Sequence, residues 1–179
     1  ALMKQGKTAP DALKELLAAD EGREVRQVAM IDANGNVNAY TGKNCIDYAS
    51  NIVGKNYSVQ SNMMLTNNVC EAMSKAFLAS EGKSLAERVL IALHAAHIRG
   101  KQSAAILVVA GKSTGQPWNE RLIDLRVDDN KAPLDELDRL LRLYRAYEHM
   151  DKCDLATEKN DMKLAMEEYG AAMKMFPEN

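Results

Sequence analysis

Leu122-Ile123-Asp124-Leu125-Arg126-Val127-Asp128-Asp129 is the stretch on which the reading of the fold turns. Its apolar residues recur at every second position. Ile123, Leu125 and Val127 therefore point to one side of an extended strand, and Asp124, Arg126 and Asp128 to the other. A strand is expected over 120–129. Just upstream, Ser103 to Ala110 is a continuous apolar run, which suits a central strand buried on both faces. Gly111 to Asn119, between the two, is rich in turn residues.

Toward the start, Thr8-Ala9-Pro10 opens a helix, because proline fits a first turn and threonine an N-cap. Leu13, Leu16 and Leu17 carry its apolar stripe to Ala19. Glu24 to Asp32 alternates with apolar residues on both faces and reads as a strand covered on two sides. Asn34-Gly35 marks a hairpin, with the return strand over 36–41. Gly42 to Asn56 reads as loop, and Tyr57 to Asn62 as a short strand. Two helices are expected at 68–80 and 85–98. The second starts with a Ser84/Glu87 capping box, and Leu85, Val89, Leu90 and Leu93 form its buried stripe. Residues 1–6 read as the last turn of a helix closed by Gly6, with a further segment expected upstream. This order of elements suits a layered α/β sandwich rather than an alternating doubly wound sheet.

From Pro133 the chain turns charged and helical. Leu134, Leu137, Leu140, Leu141 and Tyr144 keep helical spacing, Asn160-Asp161 interrupts it, and a last helix spans 162–176. Ala165, Tyr169, Ala172 and Pro177 fall where a tetratricopeptide repeat wants small, aromatic, small and proline. His149 and Lys152 stand where that repeat usually has large apolar residues. One repeat cannot bury its own face, so the hairpin is expected to stack on the rest of the chain or on a second copy. The division expected is an α/β domain over 1–131 and a helical hairpin over 132–179.

A formal net charge of -2 over 179 residues argues against nucleic-acid or membrane-surface partners, which select basic patches. The run from Ala104 to Ala110 is far short of the roughly 20 residues a spanning helix needs. Cys45, Cys70 and Cys153 lack metal-type spacing and fit a reducing compartment, so a cytoplasmic location is the default expectation. His94 and His97 sit three apart on one helix but have no third ligand at suitable spacing. No metal or cofactor is expected, and no P-loop, dinucleotide glycine motif or nucleophile elbow occurs.

Three groups of residues are candidates for ligand binding. Asp124, Arg126 and Asp128 on one strand face read as an ion network, a ligand clamp or solvent-facing charge, and pattern alone favours the last. Arg99, Gln102 and Ser103 lie at a helix-to-strand junction, where α/β folds often place sites; a capped turn is the plain alternative. Gln60 and Asn62 share a strand face with Ser61 opposite; two adjacent amides can line a polar pocket or supply oxyanion donors, and turn-adjacent hydrogen bonding is the commoner use of such residues.

A collinear series of segments carries a resemblance. It runs through Ala18-Ala19-Asp20, Gly22-Arg23-Glu24-Val25-Arg26-Gln27, Thr41-Gly42 with Cys45 and Asp47, and Tyr57-Ser58-Val59-Gln60-Ser61-Asn62. It continues through Leu85-Ala86-Glu87-Arg88-Val89-Leu90, Arg99-Gly100-Lys101-Gln102-Ser103 and Asp124-Leu125-Arg126-Val127-Asp128-Asp129. The series resembles the domain of unknown function 1028 family, whose members are similar to N-terminal nucleophile hydrolases in fold. The resemblance implies an αββα sandwich lacking its first elements here, with the nucleophile, a Thr or Ser, upstream of Ala1. In hydrolases of that fold the free α-amine is the base for its own side chain; Ala1 has no nucleophilic side chain. The series departs from the family at Ser61, where glycine is usual, at Tyr48, where tryptophan is usual, and at Ala95 to Ile98, which shortens a Gly-Gly-Asp stretch.

Two functions are therefore expected in competition. One is a hydrolase of amide bonds or a related small substrate. The other is a non-catalytic binding or assembly protein, with the sandwich as scaffold and the helical tail used for protein partners or dimerisation. A homo-oligomer is expected, with a dimer first among the alternatives.

Overall fold

Thr8 starts the first helix in the way its side chain permits, its Oγ1 accepting from the Asp11 N–H at 3.3 Å. Pro10 lies in the first turn, and α1 runs Ala9–Ala19 with Ala9, Ala12 and Leu13 buried. The structure is a computed structural model that describes residues 1–96, 103–116 and 118–176. Residues 3–5 form only a 3-10 turn, closed as expected by Gly6 in the left-handed region.

Strand β1 (Gln27–Ile31) pairs antiparallel with β2 (Val37–Thr41), Ile31 opposite Val37. The strand begins later than 24 because residues 23–25 turn in a 3-10 helix. It is covered on one side rather than two: Val28 and Met30 are half-buried, whereas Ala29 and Ile31 are exposed. At the turn only Gly35 takes a positive φ, 79°. Asp32 N–H donates to Asn36 O and Gly35 N–H to Asp32 O, each at 3.0 Å, which leaves a three-residue loop ending in a left-handed glycine.

The segment 42–56, expected to be loop, holds a further strand. Strand β3 (Ser50–Gly54) pairs with β4 (Tyr57–Ser61) across the two-residue turn Lys55-Asn56, with Asn56 at φ 63°. Polar Ser50 and Asn51 hide the alternation there, and the turn lacks the Asn-Gly signature. Helices α2 (Val69–Ala79) and α3 (Leu85–Ala95) follow. Both hydrogen bonds of the Ser84/Glu87 capping box are present. Leu90 is fully buried, but Leu85 is exposed, because it stands at the first helical position, before the stripe turns inward.

The chain separates into two compact units, Ala1–Arg99 with Val109–Arg121, and Gly100–Val108 with Leu122–Asn179. In the first, contacts run in series: α1 on β1 and β2, that hairpin on β3 and β4, and α2 on β3, β4 and α3. Helices and antiparallel hairpins thus form a mixed α+β arrangement. Arg88 ties α3 to α2, its guanidinium 3.9 Å from the Phe77 ring centroid, and the Phe77 and Tyr57 rings lie 4.8 Å apart.

Strands β5 (Ala104–Val109) and β6 (Arg121–Val127) make a two-stranded sheet. The expected double-sided burial of β5 is not observed. Ile106 is buried but Leu107 and Val109 are more than half exposed, since in the described sheet the strand has one neighbour, β6. In the second unit α4 (Pro133–Glu158) buries Leu134, Leu137 and Leu141, and Tyr144 Oη donates to Leu122 O. After Asn160, at φ 57°, α5 (Met162–Met175) folds back on α4, capped by Asp161 accepting from the Leu164 N–H. Ala146, Ala156, Ala165 and Ala172 are buried, and His149 Nδ1 meets Glu168 Oε2 across the hairpin. Pro177 lies outside the described residues.

Candidate ligand site

Gln60 lies in β4, and Asn62 stands one residue past its end. Both carry a buried atom without a hydrogen-bond partner within the chain, Nε2 of Gln60 and Oδ1 of Asn62. A buried donor left unmade costs about 1–3 kcal/mol, so such atoms call for an explanation. Gln60 lines a cavity of about 370 Å³ whose other walls include Met73, Phe77, Val89 and Leu93. Asn56, Tyr57 and Ser58 are the other polar residues of its lining. Mostly apolar walls with a few fixed polar groups are the usual makeup of a small-molecule pocket. Asn62 lies outside this lining.

The opposite side of β4 is sealed. Cys70 Sγ lies 3.2 Å from Ser61 Oγ and 3.2 Å from Ser50 O, with Cys70 and Ser61 both buried. From β1, Gln27 Nε2 reaches Thr41 Oγ1 at 3.1 Å, Ser50 O at 3.2 Å and Ser61 O at 2.8 Å. Thr41 Oγ1 also donates to Asn51 Oδ1 at 2.7 Å. These contacts fix the backbone on which Gln60 sits.

The charged side of β6 belongs to the second unit. Asp124, Arg126 and Asp128 are exposed, and Arg126 pairs with Asp128 while both side chains remain about three-quarters accessible, at 74% and 73%. Hydrogen bonding to Asp128 raises the Arg126 pKa, so the guanidinium stays charged. Ser103 is exposed immediately before β5. Arg99, Gln102 and His97 lie outside the described residues. Among the described residues no three of His, Cys, Asp and Glu converge on a point a metal could occupy.

Two polar hubs escape sequence reasoning. Glu120 Oε1 accepts from Ser113 Oγ at 2.8 Å, from Thr114 N–H and from Gly115 N–H at 3.1 Å, which lowers its pKa. Asp32 does the same for the β1–β2 turn. The signal for each is a carboxylate beside a run of small or turn residues.

A family model described as a family of unknown function, DUF1028, matches residues 1–137. The chain belongs to this family. Among solved structures it is similar to the DUF1028 protein SPO2555 from Silicibacter pomeroyi, with 30% identity and a TM-score of 0.64. The likeness covers 77% of this chain and 60% of that one, so the chain spans less than two thirds of its DUF1028 relative. No curated protein matches it. The DUF1028 region takes in the Gln60 cavity and β6, and it ends five residues into α4. No helix among the described residues is long and apolar enough to cross a membrane.

Proposed function

We propose that the DUF1028 region binds a small, largely apolar molecule bearing a carbonyl or amide group, as the substrate of an amide-bond hydrolase of the N-terminal nucleophile type. The observation that carries the reading is the unpartnered Gln60 Nε2 beside an apolar cavity. A substrate carbonyl accepting from it supplies the missing hydrogen bond once the side chain turns into the cavity, because the atom is closed to solvent as it stands. The reading assigns binding groups within 1–179 and leaves the nucleophile unassigned. Supporting this is the resemblance of the family to that hydrolase fold, an analogy of fold and not of mechanism.

The test uses N-acetyl-leucinamide as probe with the full natural protein. Saturable binding is expected, together with its loss in Gln60→Leu, which keeps the bulk and removes the donor. The same variant is expected to be at least as stable as the parent, since it removes an unsatisfied buried group. Equal binding by both proteins overturns the site. Release of ammonia (with N-acetyl-leucine) or of acetate (with leucinamide) from the probe, with Thr, Ser or Cys at the mature start, supports hydrolysis. A mature start with none of the three leaves binding alone, and the non-catalytic scaffold then becomes the function.

A further inference from the structure

We infer that the α4–α5 hairpin is a self-association surface, and that a second copy of this chain covers it as a four-helix bundle. The reading starts from what the hairpin buries. Between its helices are small residues, Ala146, Ala156, Ala165 and Ala172, while the large apolar side chains remain outside. Leu143, Tyr147 and Met150 of α4, with Tyr169, Met173 and Phe176 of α5, line one groove of about 330 Å³. Tyr147 is 64% exposed, and Met166, which continues the α5 stripe, 67%. Natural surfaces rarely leave so continuous an apolar strip uncovered.

Charge selects the occupant. At 100° per residue, Asp151 and Glu158 fall on the edge of α4 away from α5, with Asp154 toward the groove. Lys163 and Lys174 fall on the outer edge of α5, with Glu167 farther round. All five of the residues on or near the two edges, Asp151, Asp154, Glu158, Lys163 and Lys174, are exposed. The His149–Glu168 contact sets the level of one helix against the other and puts Asp154 level with Lys163. A twofold axis along the groove lays α4 of each copy over α5 of the other. By the same level, Lys163 of one copy faces the Asp154 and Glu158 end of its partner's acidic edge, while Lys174 stands level with Leu143, and the two grooves close on each other. A self-complementary surface of this kind is what a closed dimer requires.

The face is about 20 Å long, from the length of α5, and about 20 Å across for two helices. That is about 400 Å² per copy, in the range of weak, transient interfaces, so a dissociation constant on the order of 10 μM is expected. The inference is independent of any chemistry at Gln60.

Sedimentation equilibrium of the 179-residue chain tests it. A monomer–dimer equilibrium is expected, abolished by Tyr147→Glu with the helical circular dichroism unchanged. Lys163→Glu is expected to weaken the dimer at least about tenfold, and adding Asp154→Lys to restore it, because the pair exchanges sign across the axis. A chain monomeric at about 100 μM, well above the expected constant, overturns the proposal. So does a dimer indifferent to Tyr147→Glu. A folded double variant that stays as weak as Lys163→Glu rejects the twofold arrangement.

Discussion

Asp32 Oδ2 accepts the backbone N–H of Ala9 at 3.0 Å, and so joins the first turn of α1 to the β1–β2 loop. The same carboxylate accepts from the N–H groups of Asn34 and Asn36. These bonds, the one from Ala9 foremost, hold Asp32 below the ordinary aspartate range against the opposing effect of desolvation. A lowered folded-state pKa means that the contribution is complete above the unfolded value, roughly 4. It is lost as pH falls through the folded value. Asp32→Asn is expected to melt lower at pH 7, by about 2–4 °C, with the gap from the parent closing between pH 4 and the acid limit. A gap that holds constant to pH 3 would falsify the charge argument.

Leu90 is 1% exposed on α3. Replacing it with alanine removes three buried carbon atoms and leaves a cavity that close-packed neighbours only partly fill. A loss of about 2–5 kcal/mol is expected, read as a lower urea midpoint with an unchanged slope. A loss below about 1 kcal/mol would mean that α3 collapses onto the gap or packs more loosely than described.

Gly42 follows β2, where a Cβ would stand 2.3 Å from Glu24 O and 2.4 Å from its carbonyl carbon. Both atoms are backbone, so no side chain can swing away. Gly42→Ala is expected to destabilise by about 1–3 kcal/mol through a shift of residues 24 and 42. Thermal melts that match the parent's would show that the two segments separate more easily than this.

The three thiols differ in access. Cys70 is buried under Ser50 and Ser61, whereas Cys45 and Cys153 are partly exposed. Ellman's reagent is expected to label two thiols quickly in the folded protein and the third only on unfolding. Three fast equivalents would place Cys70 in a segment that opens readily.

What was legible in the sequence was local. The Thr8 cap, the Ser84/Glu87 box, the Asn34-Gly35 turn and the alternation of β6 each depend on neighbours a few residues away, and each is where its residues put it. Strand β3 was hidden because Ser50-Asn51 breaks the alternation and Lys55-Asn56 is an inconspicuous turn. The cover of β5 was misjudged because an apolar run reports burial propensity without saying what does the burying. At the candidate site, strand period places Gln60 in β4, whereas Asn62 lies past the strand's end and outside the cavity lining. The cavity could not be read, since its walls come from β1, β4, α2 and α3. Asp32 and Gln27 passed unnoticed for a related reason: each is an ordinary polar residue until partners more than 20 positions away are known.

Gln27 carries a consequence for how the first unit opens. Its amide touches β2, β3 and β4 at once, so neither hairpin can slip by one residue without abandoning a carbonyl on the other. Such a slip would also turn the sides of the slipped strand inside out. The two ladders therefore share one register and one fate. Their backbone amides are expected to exchange with deuterium as a single cooperative block, although no backbone ladder connects the two sheets.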